Sequence, residues 1–234
     1  MFTETMSLGL ARALRRLTPT PLGQLIVDKS MSLNPSRSKQ VVLGLDLERR
    51  LEPYAVMDNG SGLGVLLTAS EVRALLDRQW LDKLQCHLKR PAVPGDCRTS
   101  GDGTDFRLVT LRGCEPGMRI STREESGRRS FVLLGYESCK RICVLAPVIL
   151  RYMEHLDRTK QRCRDSMIII LDDLASELEK RGGTKSVAEE LIARNAEKLA
   201  SSSQYDVQLD LALDLHFRYR EFLIGMLCGY CGVD

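Results

Sequence analysis

The stretch from Asp105 to Leu156 constrains the fold most. FRLVTLR, GMRISTR and RRSFVLLGY read as short strands. KRICVLA follows as a further expected strand, and it passes directly into PVILRYMEHL, whose apolar spacing is helical. Glycine or charge marks the joins, at Gly113, Gly117, Ser126-Gly127 and Glu137-Ser138. The expected unit is an antiparallel meander closed by a helix, ββββα.

The first half reads the same way. GQLIVDK, from Gly23 to Lys29, is a first strand, and Ser30 to Lys39 with Asn34-Pro35 is a loop. Val41, Leu43, Leu45 and Leu47 share one face of a second strand. Pro53 to Asp58 and Leu63 to Leu67 are two more, joined by the turn signal Asp58-Asn59-Gly60. Thr68 and Glu71 form a capping box, in which the hydroxyl satisfies a free amide and the carboxylate reaches back. The helix behind it carries Val72, Leu75, Leu76, Trp80 and Leu84 and should end near Lys89.

Val65 to Val72 can be laid over Ile142 to Ile149, so that Val72 meets Ile149 and Leu75 meets Tyr152. A duplicated unit is the expectation, since a repeat decides the whole architecture. The fold class expected is α+β: two ββββα units with a helical C-terminal extension. The boundaries are an N-terminal segment at 1–22, units at 23–89 and 105–164, a linker at 90–104, and the extension at 165–234. In that extension Gly182-Gly183 is a helix stop. Tyr205 to Tyr219 alternates like a strand, yet its Leu, Ala, Asp, Gln and Arg form strands poorly, so helix is preferred.

Two ββββα units in one chain, with RICVLAPVILRYMEHL as the closest stretch, resemble the Whirly family and its relatives. Those are the kinetoplastid guide-RNA-binding proteins, the PUR-repeat proteins and the positive-cofactor coactivators. The resemblance covers roughly residues 23–156 and lies in element order. It implies sheets that bind single-stranded nucleic acid and assembly into tetramers. The family's lysine-rich strand motif has no match here, so no family residue is carried over.

Charge is uneven. Residues 105–164 hold 13 Lys/Arg against 7 Asp/Glu, and residues 165–234 hold 7 against 13; the basic middle suggests a surface facing a polyanion or an acidic partner, and the alternative is that the opposite charges pack against each other within the fold. A single-strand platform needs cations for phosphates and flat groups under bases. The candidates are Arg107, Arg119, Arg123, Arg128, Arg129, Lys140 and Arg141, with Tyr136 as the aromatic; Arg119, Ser121 and Arg123 share one strand face. The competing reading makes the strand-end charges edge protection and puts Phe106 and Phe131 in the core. Aromatics are only 5% of the chain, which limits stacking and favours the alternative of an assembly or scaffold subunit contacting partners through its C-terminal helices. Arg158, Lys160, Arg162 and Arg164 form a second basic group, read as a solvated helix face.

No catalytic motif is found, and an enzyme, a cofactor and a small-molecule substrate are not expected. Gly60 to Gly64 lacks the Lys-Ser/Thr of a phosphate loop and fits a hairpin turn. Cys228 and Cys231 have half a zinc site's spacing without matching partners, so no metal is expected. Eight cysteines without a secretory signal point to free thiols in a reducing, intracellular compartment. Met1 to Leu17 is an amphipathic, arginine-bearing start, read as a docked arm, with a mitochondrial presequence as the alternative. No membrane span is expected. The partners expected are single-stranded RNA or DNA and further subunits in a homo- or hetero-oligomer.

Overall fold

The computed structural model describes residues 25–47, 49–58, 64–90, 97–99, 103–123, 129–200, 211–212 and 214–232. Residues 21–45 with 53–158 cluster as one compact unit, and residues 46–52 with 159–234 belong to a second.

The first unit contains both expected ββββα repeats. Sheet 1 has the order β1 (Leu25–Ser32), β2 (Gln40–Asp46), β3 (Glu52–Asp58), β4 (Gly64–Thr68). Sheet 2 has the order β5 (Cys97–Thr99), β6 (Asp105–Thr110), β7 (Pro116–Arg123), β8 (Arg129–Leu134). The pairings from β5 to β8, and that of β3 with β4, are antiparallel.

Thr68 and Glu71 cap α1 (Ala69–Leu75) as the sequence predicts: Thr68 Oγ1 accepts from Glu71 N at 3.2 Å and Glu71 Oε2 accepts from Thr68 N at 2.7 Å. The helix expected to run on to Lys89 breaks at Leu76. Asp77 then accepts from Gln79 N and Trp80 N and starts α2 (Arg78–Lys89). An Asx cap inside a helical pattern competes with the continuing backbone bond.

The helices of the first repeat pack on sheet 2. The Trp80 ring lies 6.5 Å from that of Phe106, and His87 Nε2 bonds Val109 O at 3.0 Å. The inner face of sheet 2 is closed: Phe106, Leu108, Met118, Ile120, Val132 and Leu134 are buried. On sheet 1, Tyr152 of α3 (Tyr136–Lys180) donates its hydroxyl to Val27 O at 3.1 Å. With inner faces covered by helices, strand alternation sends the remaining side chains of sheet 2 outward.

Three expectations are corrected. KRICVLA is not a strand; it lies inside α3. Cys139, Ile142, Ala146, Ile149 and Met153 are buried, whereas Val144 is 62% exposed, so the period of the run is helical rather than alternating. Its β-branched residues mimic a strand, but the chain turns earlier. Glu115 Oε1 accepts from Tyr136 N at 2.8 Å, and a Cβ on Gly135 would come within 2.8 Å of that oxygen, so glycine opens the site for this cap. The fourth strand of the second repeat is instead β5, inside the stretch read as linker. Consequently the equivalent junctions are Thr68-Ala69 and Gly135-Tyr136, and laying Val65–Val72 over Ile142–Ile149 mismatches the repeats.

In the second unit, α3 ends where expected. Gly183 N bonds Leu178 O at 3.0 Å and Gly182 N bonds Glu179 O at 3.4 Å, with φ of 95° at Gly182 and 60° at Gly183. This is a Schellman stop, which needs the left-handed backbone glycine adopts freely. Then come α4 (Lys185–Ala200), a π-helical turn (Asp214–Arg218) and α5 (Arg220–Cys231). The described part of Tyr205 to Tyr219 is thus helical up to Arg218, with Tyr219 a bend that caps α5; residues 205–210 and 213 lie outside the described residues.

The β2–β3 turn belongs to this second unit. Arg50 and Leu51 both have φ of 58°, a conformation costing a non-glycine residue about 1–2 kcal/mol. Arg164 holds the turn: its Nε and Nη2 donate to Arg50 O at 2.8 and 2.6 Å. Arg164 Nη2 also meets Glu52 Oε1 at 2.7 Å, and Lys160 Nζ meets Glu52 Oε2 at 2.9 Å. Burial pushes the Glu52 carboxyl up, but hydrogen bonds and charge from Lys160 and Arg164 outweigh it and leave the carboxyl below its ordinary value. His216 is shifted down by burial, against a raising bond from its ring to Ala212 O at 2.7 Å.

Both shifts destabilise the fold in acid. The unfolded chain binds these protons more readily, so stability rises with pH between each folded and unfolded value. Stability is therefore expected to fall below about pH 6.5 as unfolded His216 protonates, and again below about pH 4.5 for Glu52. Urea denaturation across pH 3–8 checks this: His216→Phe should flatten the upper step, and Glu52→Gln the lower one.

Candidate nucleic-acid interface

The register of sheet 2 sets Arg107 of β6 opposite Arg119 of β7, and Arg119 opposite Leu133 of β8. The next row is Asp105, Ser121 and Phe131, and the row beyond sets Arg123 opposite Arg129. Alternation puts Asp105, Arg107, Arg119, Ser121, Phe131 and Leu133 on the face away from the covered core. Arg107 and Arg119 therefore stand across strands from one another, an arrangement that destabilises a sheet by itself.

The aromatic of this face is Phe131. Its side chain is 48% exposed, and the Arg119 guanidinium carbon lies 4.5 Å from its ring centroid. A cation this close to a phenyl ring gains about 0.5–1 kcal/mol at an exposed site. Arg119 Nε is buried with no hydrogen-bond partner. Arg107 is exposed, and neither Arg107 nor Arg119 has an ion pair among the described residues. The one carboxylate in these rows, Asp105, accepts from Thr99 Oγ1 at 2.6 Å.

Of the other residues singled out in the sequence, Arg128 lies outside the described residues, and Arg123 and Arg129 are described in their backbone alone. Lys140, Arg141 and Tyr136 are not on the sheet; they occupy the first turns of α3, where Lys140 and Arg141 are exposed and Tyr136 half-buried. Phe106 is core, as the competing reading holds, but Phe131 is not. The second basic group is largely engaged within the protein: Lys160 and Arg164 on Glu52, and Arg158 on Glu154 at 3.6 Å.

Sheet 1 offers no comparable surface. Strands β2, β3 and β4 carry no lysine or arginine. At their outward positions Val56 and Gly44 are buried, and Val42, Tyr54 and Leu66 are half-buried.

The chain matches no family model, no curated protein and no solved structure. The chemistry of the site therefore rests on its own residues. Among the described residues no group of His, Cys, Asp or Glu could hold a metal ion. Cys228 and Cys231 are free thiols, and burial pushes both up. Burial also pushes Cys139 up to about 12, so it stays a thiol at neutral pH. Among the described residues no helix is long and apolar enough to cross a membrane.

Proposed function

We propose that the outer face of sheet 2 binds single-stranded nucleic acid, RNA or DNA, without catalysis. One observation carries the reading: Arg107 faces Arg119 across β6 and β7 with no ion-pair partner for either among the described residues, and the nearby Asp105 carboxylate is hydrogen-bonded to the Thr99 hydroxyl. Such a face is stabilised by a polyanion. A strand whose phosphates lie along the arginines would bring bases over the Phe131 ring, the pairing of cation and flat surface that sequence-tolerant binders use. The Whirly-like order of elements supports the same reading.

Four arginines in phosphate contact give log K against log salt a slope of about −3 for a single strand. Anisotropy titration of a mixed-sequence oligonucleotide at low and moderate salt tests it. Affinity should fall by at least about fifty-fold between 50 and 200 mM salt; no binding at low salt would refute the reading.

A second reading, an assembly subunit, has its own observation. Val144 and Val148 stand one turn apart on α3, 62% and 51% exposed. An exposed apolar pair of this kind suits contact with another protein.

A further inference from the structure

We propose that a cavity between the β1–β2 turn and the first turns of α3 is a phosphate subsite for the same bound strand. It rests on the reading of sheet 2 as a single-strand platform. The cavity measures about 390 Å³; Ser32, Asn34 and Arg37 line it from the turn, and Glu137 and Arg141 from α3. The two arginines come from different repeats. Neither guanidinium has an ion pair or hydrogen bond among the described residues.

The turn is built to hold Arg37 in place. Leu33 is fully buried and anchors it. Asn34 is its hub: Oδ1 accepts from Lys39 N at 3.1 Å, Nδ2 donates to Ser38 Oγ at 2.8 Å, and the backbone carbonyl accepts from Ser32 Oγ at 2.6 Å. Arg37 itself sits at φ of 55°, with its N–H on Asn34 O at 3.1 Å. Opposite, Arg141 is fixed on a helix whose first amide is capped by Glu115.

Position links the cavity to the platform. Lys39 Nζ donates to Leu133 O, which ties the turn to the edge strand carrying Phe131 and Leu133. A strand leaving Phe131 over this edge meets Lys39 and then the two guanidiniums. Guanidinium forks match phosphate oxygens and bind them bidentately. Glu137 shares the rim. Its carboxylate opposes a free anion but accepts a hydrogen bond from a sugar hydroxyl or a base amine. The subsite therefore fits a nucleotide within a strand better than inorganic phosphate.

The test compares salt dependence of oligonucleotide binding in the full chain. Arg37→Gln with Arg141→Gln removes two cations and should reduce the slope by about 1.4. Both residues are exposed, so the thermal melt should not move. Arg37→Lys with Arg141→Lys keeps the charges and should restore the slope. Arg119→Ala with Phe131→Ala, run alongside, reports on the platform. If that variant loses affinity while the glutamine pair keeps the wild-type slope, the subsite is overturned and the platform stands. A glutamine-pair slope that the lysine pair fails to restore also overturns the subsite. A wild-type chain that binds no strand overturns both.

Discussion

Phe106→Ala is expected to destabilise the first unit by about 3–5 kcal/mol. Phe106 is fully buried at the centre of the inner face of sheet 2, in register with Ile120, and packs on Trp80 with ring centroids 6.5 Å apart. Truncation removes a large apolar group and leaves a cavity between sheet and helix that rigid neighbours fill poorly. Urea denaturation checks it: the midpoint should drop with the m-value unchanged. Phe131→Ala should cost little by the same measurement, because its ring is 48% exposed on the open face. Two phenylalanines of one sheet thus separate by an order of effect, according to which side of the pleat each occupies.

The reverse ranking holds for binding. Arg119→Ala with Phe131→Ala is expected to weaken single-strand affinity roughly a hundredfold. Stacking of one base on an aromatic contributes about 1–3 kcal/mol, and the guanidinium adds a phosphate contact. Since Arg119 lies over the Phe131 ring, the two act as one surface, and the single variants should not sum to the double. Anisotropy titrations of both singles and the double measure the coupling.

Sheet 1 and its capping box were legible in the sequence because local signals agreed there. Val41, Leu43 and Leu45 alternate, and Thr68 with Glu71 announces the helix. The second repeat misled at its far end. Ile142, Cys143 and Val144 satisfy strand and helix patterns alike, and only the burial of Cys139, Ile142 and Ala146 against exposed Val144 separates them. What starts the helix early is Glu115, distant in sequence, so no local window contains the signal. β5 is only three residues long, too short to show any period.

The candidate site was half legible. The alternation of Arg119, Ser121 and Arg123 gave the face of β7, but strand pairing brings Arg107 opposite Arg119 and selects Phe131 over Tyr136. Register across strands is a long-range property that composition does not carry. Arg37 and Lys39 carry no signal beyond that of a polar loop in the sequence; their place beside β8 and α3 comes from packing between repeats far apart in sequence.

Arg107→Thr tests the central claim most directly, with stability and binding read on the same protein. Arg107 faces Arg119 across the sheet with no ion-pair partner among the described residues, and the substitution leaves Arg119 on Phe131 untouched. Threonine also suits a strand. Removing a like-charge cross-strand pair should raise stability by about 0.2–1 kcal/mol in urea denaturation. The same change should weaken oligonucleotide binding and lower the salt slope by about 0.7. A variant that is less stable and binds as the wild type does would contradict the account.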